Sequence, residues 1–120
     1  MSIVSSIDKE EFFLASEGCY VTELCNSEAD FAVSIARIRV RPGDTTNWHR
    51  LKNTVERYYI VSGCGLVEVG DAPARTVLPG DVVIISAMER QRISNEGEVD
   101  LVFLAICSPR FEEKNFLLAE

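Results

Sequence analysis

His49 is the only histidine in the protein, and Glu56 follows it seven residues later. They lie on two strand-like runs, joined by a short polar connection at Lys52-Asn53-Thr54 and bounded by the turn formers Pro42-Gly43 and Gly63-Cys64-Gly65. Side chains alternate faces along a strand. On that rule Asn47, His49 and Leu51 share one face of the first run, and Glu56, Tyr58 and Ile60 share one face of the second. Where the two faces meet, an imidazole, a carboxylate and a phenol point into one cavity. Such a set suits proton transfer or the binding of a cation.

The spacing carries a family resemblance. Gly43, His49, Glu56 and Gly63 fall on the first motif of the cupins, which runs glycine, His-x-His, glutamate, glycine, and here Leu51 stands in place of the second histidine. Further on, Gly80 and Asn95 match the ends of the second motif, Ser86 and Met88 stand where proline and glycine are usual, and Gln91 replaces the histidine. The stretch from residue 32 to 108 resembles a small single-domain cupin. The resemblance implies an all-β, cupin-type jelly-roll β-barrel (double-stranded β-helix) with short terminal helical segments. Residues 1–31 then form an N-terminal helix and strand extension, and 109–120 a C-terminal tail of the same single domain.

Cupins hold a divalent ion through histidines and a glutamate, so the resemblance implies His49, Glu56 and Gln91 as metal ligands. An amide oxygen is a hard, weak donor, and its presence favours manganese or iron over nickel or zinc. Tyr58 is the catalytic candidate as proton donor, although an aromatic that merely fills the barrel has the same pattern. Asn47, Leu51 and Ile60 are substrate-binding candidates by strand parity. Two functions follow: a metal-dependent isomerase, lyase or dioxygenase acting on a small polar metabolite, or a non-catalytic ligand-binding or assembly barrel with a vestigial metal site in which His49 and Glu56 bond each other.

The elements around these residues follow from pattern. Ser6 and the acidic turn after it suggest a capped short helix carrying Phe12 and Phe13. Cys19 to Leu24 reads as a strand. In Phe31 to Val40, Ser34, Ala36, Ile38 and Val40 alternate with Ile35, Arg37, Arg39 and Arg41. The arginines form either a solvated face or, at the barrel mouth, a fork that binds a substrate's carboxylate or phosphate through Arg37 and Arg39. Val82–Ile85 and Leu101–Ile106 are apolar on both faces, so one face fills the core and the other needs a cover. Trp48 and Tyr59 have outward parity, and with those strands they argue for a homodimer.

Composition excludes several classes. A net charge of −7 argues against nucleic acid as partner. No apolar run approaches the roughly 18 residues of a membrane-spanning helix, and no signal peptide is read at the start, so a cytoplasmic setting is expected. The four cysteines make no CxxC pair and read as free core residues, Cys107 among them.

Overall fold

A computed structural model describes residues 1–119; Glu120, the last residue of the expected tail, lies outside the described residues. Among the described residues eleven strands form two antiparallel sheets. The first sheet runs β1 (Phe12–Leu14), β2 (Cys19–Cys25), β3 (Ser34–Val40), β10 (Leu101–Ser108), β5 (Val55–Ser62) and β8 (Val82–Ile85). The second runs β11 (Phe116–Leu118), β4 (His49–Leu51), β9 (Gln91–Ser94), β6 (Gly65–Val69) and β7 (Arg75–Val77). This is the double-sheet jelly roll that the turn spacing and the motif resemblance imply.

The core sits between the sheets and is built by alternation. Tyr58 and Ile60 of β5, Phe103 and Ala105 of β10, Ile38 and Val40 of β3, and Ile93 of β9 are all buried. Each large apolar side chain so buried contributes roughly 1.5–3 kcal/mol. The turns keep these faces in register. Gly63 adopts φ +76°, and a Cβ there would come within 2.4 Å of the Asp100 carbonyl oxygen, so only glycine fits. Met88 holds φ 69° at the position where the resemblance expects glycine, and its N–H donates to the Leu51 carbonyl. Asn95 is buried, donates to the carbonyls of Val40 and Val99, and accepts from the Gly97 N–H, which ties β9 to its neighbours.

Outward parity is as expected for Trp48 and Tyr59. Tyr59 is 41% exposed, and Trp48 lies outside beneath the guanidinium groups of Arg90 and Arg92, at 4.2 and 4.4 Å from its ring centre. On β8, Ile84 is 70% exposed while Ile85 is fully inside.

The N-terminal helix is not formed. Ser6 to Lys9 make only a turn, and Phe12–Leu14 pair instead with β2, placing Phe13 edge-on to Tyr20 at 5.1 Å. A helix of eight or nine residues is marginal in water, whereas pairing with β2 satisfies backbone groups at once. At the other end a 3₁₀ turn, Glu113–Asn115, leads into β11, which pairs with β4. Among the described residues no helix is long and apolar enough to cross a membrane.

Candidate functional site

Two cross-strand pairs face each other across the barrel. On the second sheet His49 lies opposite Gln91, and on the first Glu56 lies opposite Cys107. The Tyr58 hydroxyl spans the gap between sheets and donates to Gln91 Oε1. His49, Glu56, Tyr58 and Gln91 are all buried. The barrel therefore brings together the three residues at motif positions and Tyr58, which strand parity singled out, and Leu51 and Ile60 are buried as well.

His49 Nδ1 lies 2.8 Å from the Asn47 carbonyl oxygen. A carbonyl only accepts, so Nδ1 carries the proton of the neutral ring and Nε2 keeps its lone pair. Burial lowers the pKa of this imidazole, with the Asn47 carbonyl opposing the shift, which favours that neutral form. Phe116 of β11 stacks on the ring, its centre 5.2 Å away, and fixes the plane from the other side.

Nε2 faces a carboxylate, but not the expected one. Glu17, on the turn between β1 and β2, places Oε1 3.7 Å from it. Glu17 does not lie on any barrel strand, and nothing in the motif points to it. Its turn is fastened by Asn47, whose side-chain amide donates to the carbonyls of Ser16 at 3.0 Å and Ala15 at 3.3 Å, and whose backbone N–H donates to the Glu17 carbonyl at 2.9 Å. The expectation that Asn47 lines the pocket is thus corrected. It precedes β4, so strand parity does not govern it, and its side chain is exposed and turned to the neighbouring turn.

Glu56 is 6% exposed, and its Oε1 has no hydrogen-bond partner. Its Oε2 receives the Cys107 thiol at 3.6 Å. Burial pushes the Glu56 pKa up to about 7, while the Cys107 thiol and the Gln91 amide hold it from going further. Burial, with the charge of Glu56 added, pushes Glu17 up to about 8. Burial also raises Tyr58, Cys19 and Cys107, so all three remain protonated. Cys107, expected only to pack, is a donor to the central carboxylate. The direct His49–Glu56 bond of the vestigial alternative is not formed: Nδ1 goes to Asn47, and Nε2 faces Glu17.

The arginine reading resolves towards solvent. Arg37 is exposed, and Arg39 spans Glu11 and Asp100 on the outer face, at 2.8 and 3.2 Å, with its guanidinium 4.3 Å from the Tyr20 ring centre. The small and apolar residues of β3 take the inner face because burying them stabilises the core, whereas a guanidinium stays hydrated or ion-paired on the outer face. Neither arginine reaches the cavity, which correction removes them from the substrate-binding set.

The space enclosed by Glu17, Thr46, His49, Glu56 and Tyr58 is small, about 20 Å³, and includes no lysine or arginine in its lining. A divalent ion is the group that the motif resemblance implies here. The donors present fit one in part: a bare imidazole nitrogen and a buried carboxylate oxygen without a partner are the atoms a cation satisfies. Among the described residues no group of three or more His, Cys, Asp and Glu side chains is gathered as an ion site, and Gln91, the third ligand that the resemblance implies, has its Oε1 engaged by the Tyr58 hydroxyl.

Comparison with known proteins fits this architecture. The chain is 34% identical over 73 residues to an oxalate-binding protein of Thermotoga maritima, an alignment that covers 59% of this chain and 58% of that relative's length. A crystal structure described as a predicted oxalate decarboxylase from Thermotoga maritima superposes with a TM-score of 0.79 at 25% identity, over 90% of this chain and 99% of that one. The nucleoside dehydratase Pac13 of Streptomyces superposes with a TM-score of 0.80 at 17% identity, over 100% of this chain and 92% of that one. The cupin domain family, Cupin_2, matches residues 36–107, from the middle of β3 to Cys107, and the chain belongs to that family.

Proposed function

We propose that this cupin is an isomerase- or lyase-type enzyme that moves a proton on a small polar metabolite inside the barrel. The observation that carries the reading is the bare Nε2 of His49, aimed at Glu17 in the same cavity as Glu56. His49 acts as base, taking a proton from carbon or oxygen at Nε2 while the Asn47 carbonyl stabilises the resulting imidazolium at Nδ1. Glu17, protonated near neutral pH because its pKa stands at about 8, supplies a proton to the leaving or re-protonated atom. Tyr58 keeps its proton and donates a hydrogen bond to a substrate oxygen when it releases Gln91.

If a divalent ion is bound, His49 and Glu56 hold it, with Gln91 as the third ligand, and it supplies Lewis-acid polarisation of a substrate oxygen. Manganese and iron suit this oxygen-rich set better than nickel or zinc. The relative's ligand, oxalate, transfers poorly to this chain without such an ion, because a dianion meets Glu17 and Glu56 and no arginine or lysine in the cavity lining.

The test is proton exchange in D₂O, followed by NMR, on a panel of hydroxy- and keto-bearing metabolites in anionic, neutral and amine-bearing forms, with and without manganese. Exchange next to a carbonyl or hydroxyl is expected, falling about 100-fold or more in His49→Gln. Exchange that survives in His49→Gln, or none across the panel, overturns the reading.

The tightness of the cavity favours a second reading. About 20 Å³ holds roughly one water molecule, which suits a barrel that binds or assembles without turnover. Binding of a panel compound with no exchange selects that account.

The outer face of the first sheet supports a homodimer. Register sets Leu104 between Arg37 and Tyr59, with Val82 beyond Tyr59, so one row crosses four strands with three apolar or aromatic side chains in succession. Light scattering is expected to give twice the 13.4 kDa chain mass, and a monomer mass overturns it.

A further inference from the structure

Beyond the inner cavity, the space around Glu17 continues outward. A narrow cavity of about 40 Å³ lies beside it, lined by Glu17, Glu23, Glu56 and Phe111 among others. Outside that is a cleft of about 370 Å³ at the barrel mouth, which shares Leu14, Glu17, Glu23 and Phe111 and adds Phe12, Phe116 and Glu113. Glu17 borders all three spaces, so they lie next to one another between the outer cleft and the proton-transfer site.

The chemistry of these spaces is one-sided. Four glutamates line them and no lysine or arginine does. Lys9, on the N-terminal arm, is the basic side chain whose charge reaches Glu23. At the inner end, Glu56 Oε1 is buried with no hydrogen-bond partner, in a residue only 6% exposed. A carboxylate oxygen in that state lacks a donor: the Cys107 thiol of the wall goes to Oε2, and the Ser34 hydroxyl makes no bond to Oε1. At the outer end three phenylalanines border the cleft and present apolar surface. The net charge of −7 favours the approach of cations over anions.

We propose that the ligand of this barrel is a small organic cation, a protonated amine seated among Glu17, Glu23 and Glu56 with an apolar or aromatic body lying in the outer cleft against Phe12, Phe111 and Phe116. An ammonium group has three donors and no acceptor, so it can bond Glu56 Oε1, a Glu23 oxygen and the carbonyl oxygen of the protonated Glu17 at once and leaves none of its own atoms unpaired. The phenylalanine rings accept the apolar body and attract the charge through their faces. An anionic metabolite has the opposite match at every one of these points. The inference rests on the proton-transfer reading in one respect, since it names the substrate class for that same site.

The experiment is a chemical-shift titration of ¹⁵N-labelled full-length protein with three probes of one shape: phenethylammonium, 2-phenylethanol and phenylacetate. Phenethylammonium is expected to bind about tenfold or more tightly than either of the others, with the largest shifts at Glu17, Glu23 and Phe111. Glu23→Gln is expected to weaken the amine about fivefold and leave 2-phenylethanol unchanged. The comparison among three probes needs no variant, so it stands even where Glu23→Gln fails to fold. Phenylacetate binding as tightly as the amine, or no amine binding at about 10 mM, overturns the proposal. So does Mn²⁺ that, added alone, broadens the same amides and cannot be displaced by the amine, because the carboxylates then serve a metal. Failure here with His49-dependent exchange intact leaves the proton-transfer reading standing, and amine binding without such exchange does the reverse.

Discussion

Glu56 and Glu17 reach the same cavity by different routes. Glu56 sits on β5, paired on one side with Cys107 of β10 and on the other with Ile85 of β8, so the sheet register fixes it. Glu17 stands on the turn between β1 and β2, and its place depends on three hydrogen bonds from Asn47. Burial raises both carboxyls, to about 7 and about 8. One is therefore a fixture of the barrel wall and the other a tethered arm, and the two carry different parts of any chemistry. A residue set in a sheet cannot leave without breaking register, whereas a turn opens at the cost of a few hydrogen bonds.

The largest test of this comparison removes both charges. A carboxyl whose folded pKa lies above its unfolded value of about 4.5 holds a proton in the native state that the unfolded chain has lost. Its stabilising contribution is present below that unfolded value and declines as pH rises through the folded one. Wild-type stability should then fall between about pH 4.5 and pH 8, by several kcal/mol in total, an order of magnitude set by roughly 1.4 kcal/mol per pKa unit and reduced by hydration of Glu17. Glu17→Gln/Glu56→Gln should flatten the slope, measured as urea midpoints across pH. A slope that persists in the double variant places the unfavourable charge elsewhere.

The single variants come next in size. Glu56→Gln should remove the part of the slope that ends near pH 7, and Glu17→Gln the part that extends to about pH 8. Because Glu17 feels the charge of Glu56, Glu56→Gln should also shift Glu17 downwards. Metal retention separates the two in another way. Glu56→Gln should lower manganese affinity about 100-fold, and Glu17→Gln less than about tenfold, by isothermal titration of chelator-treated protein. Equal losses from both show that the tethered carboxylate is a ligand too.

These contrasts follow what was legible in the chain. Strand alternation placed His49, Leu51, Tyr58 and Ile60 inside and Tyr59 outside, because β4 and β5 are regular over those residues, and it holds for Trp48 just before β4 as well. The family motif led to Gln91, whose partner Tyr58 lies 33 residues away and leaves no local signal. Glu17 had none either: parity does not apply to a turn, and the only hint was the glycine after it, Gly18, with φ +76°. Asn47 failed for the same reason, two residues before regular strand begins. The β3 arginines were ambiguous since both faces of that run are plausible until the core volume is known. At the N-terminus local helix preference lost to strand pairing with β2, a tertiary contact that no window of sequence contains.

The smallest effect tests the tether itself. Asn47→Ala removes the side-chain amide and its bonds to Ala15 and Ser16, while the backbone bonds to Glu17 and His49 remain. Two exposed hydrogen bonds are lost, so stability should fall by about 1 kcal/mol. The chain's single histidine makes the ring state readable by ¹⁵N NMR without assignment ambiguity. The His49 tautomer should stay the same, because the Asn47 carbonyl still accepts from Nδ1. Glu17, by contrast, should titrate closer to an ordinary glutamate as the turn loosens and water reaches it, and ¹³C-detected titration of the carboxyl follows that directly. Together the two readings separate tether from fixture. If Glu17 still titrates near 8 in Asn47→Ala, the backbone bonds of Glu17 and Gly18 to Leu14 hold the turn by themselves, and Glu17 belongs with Glu56 as part of the wall.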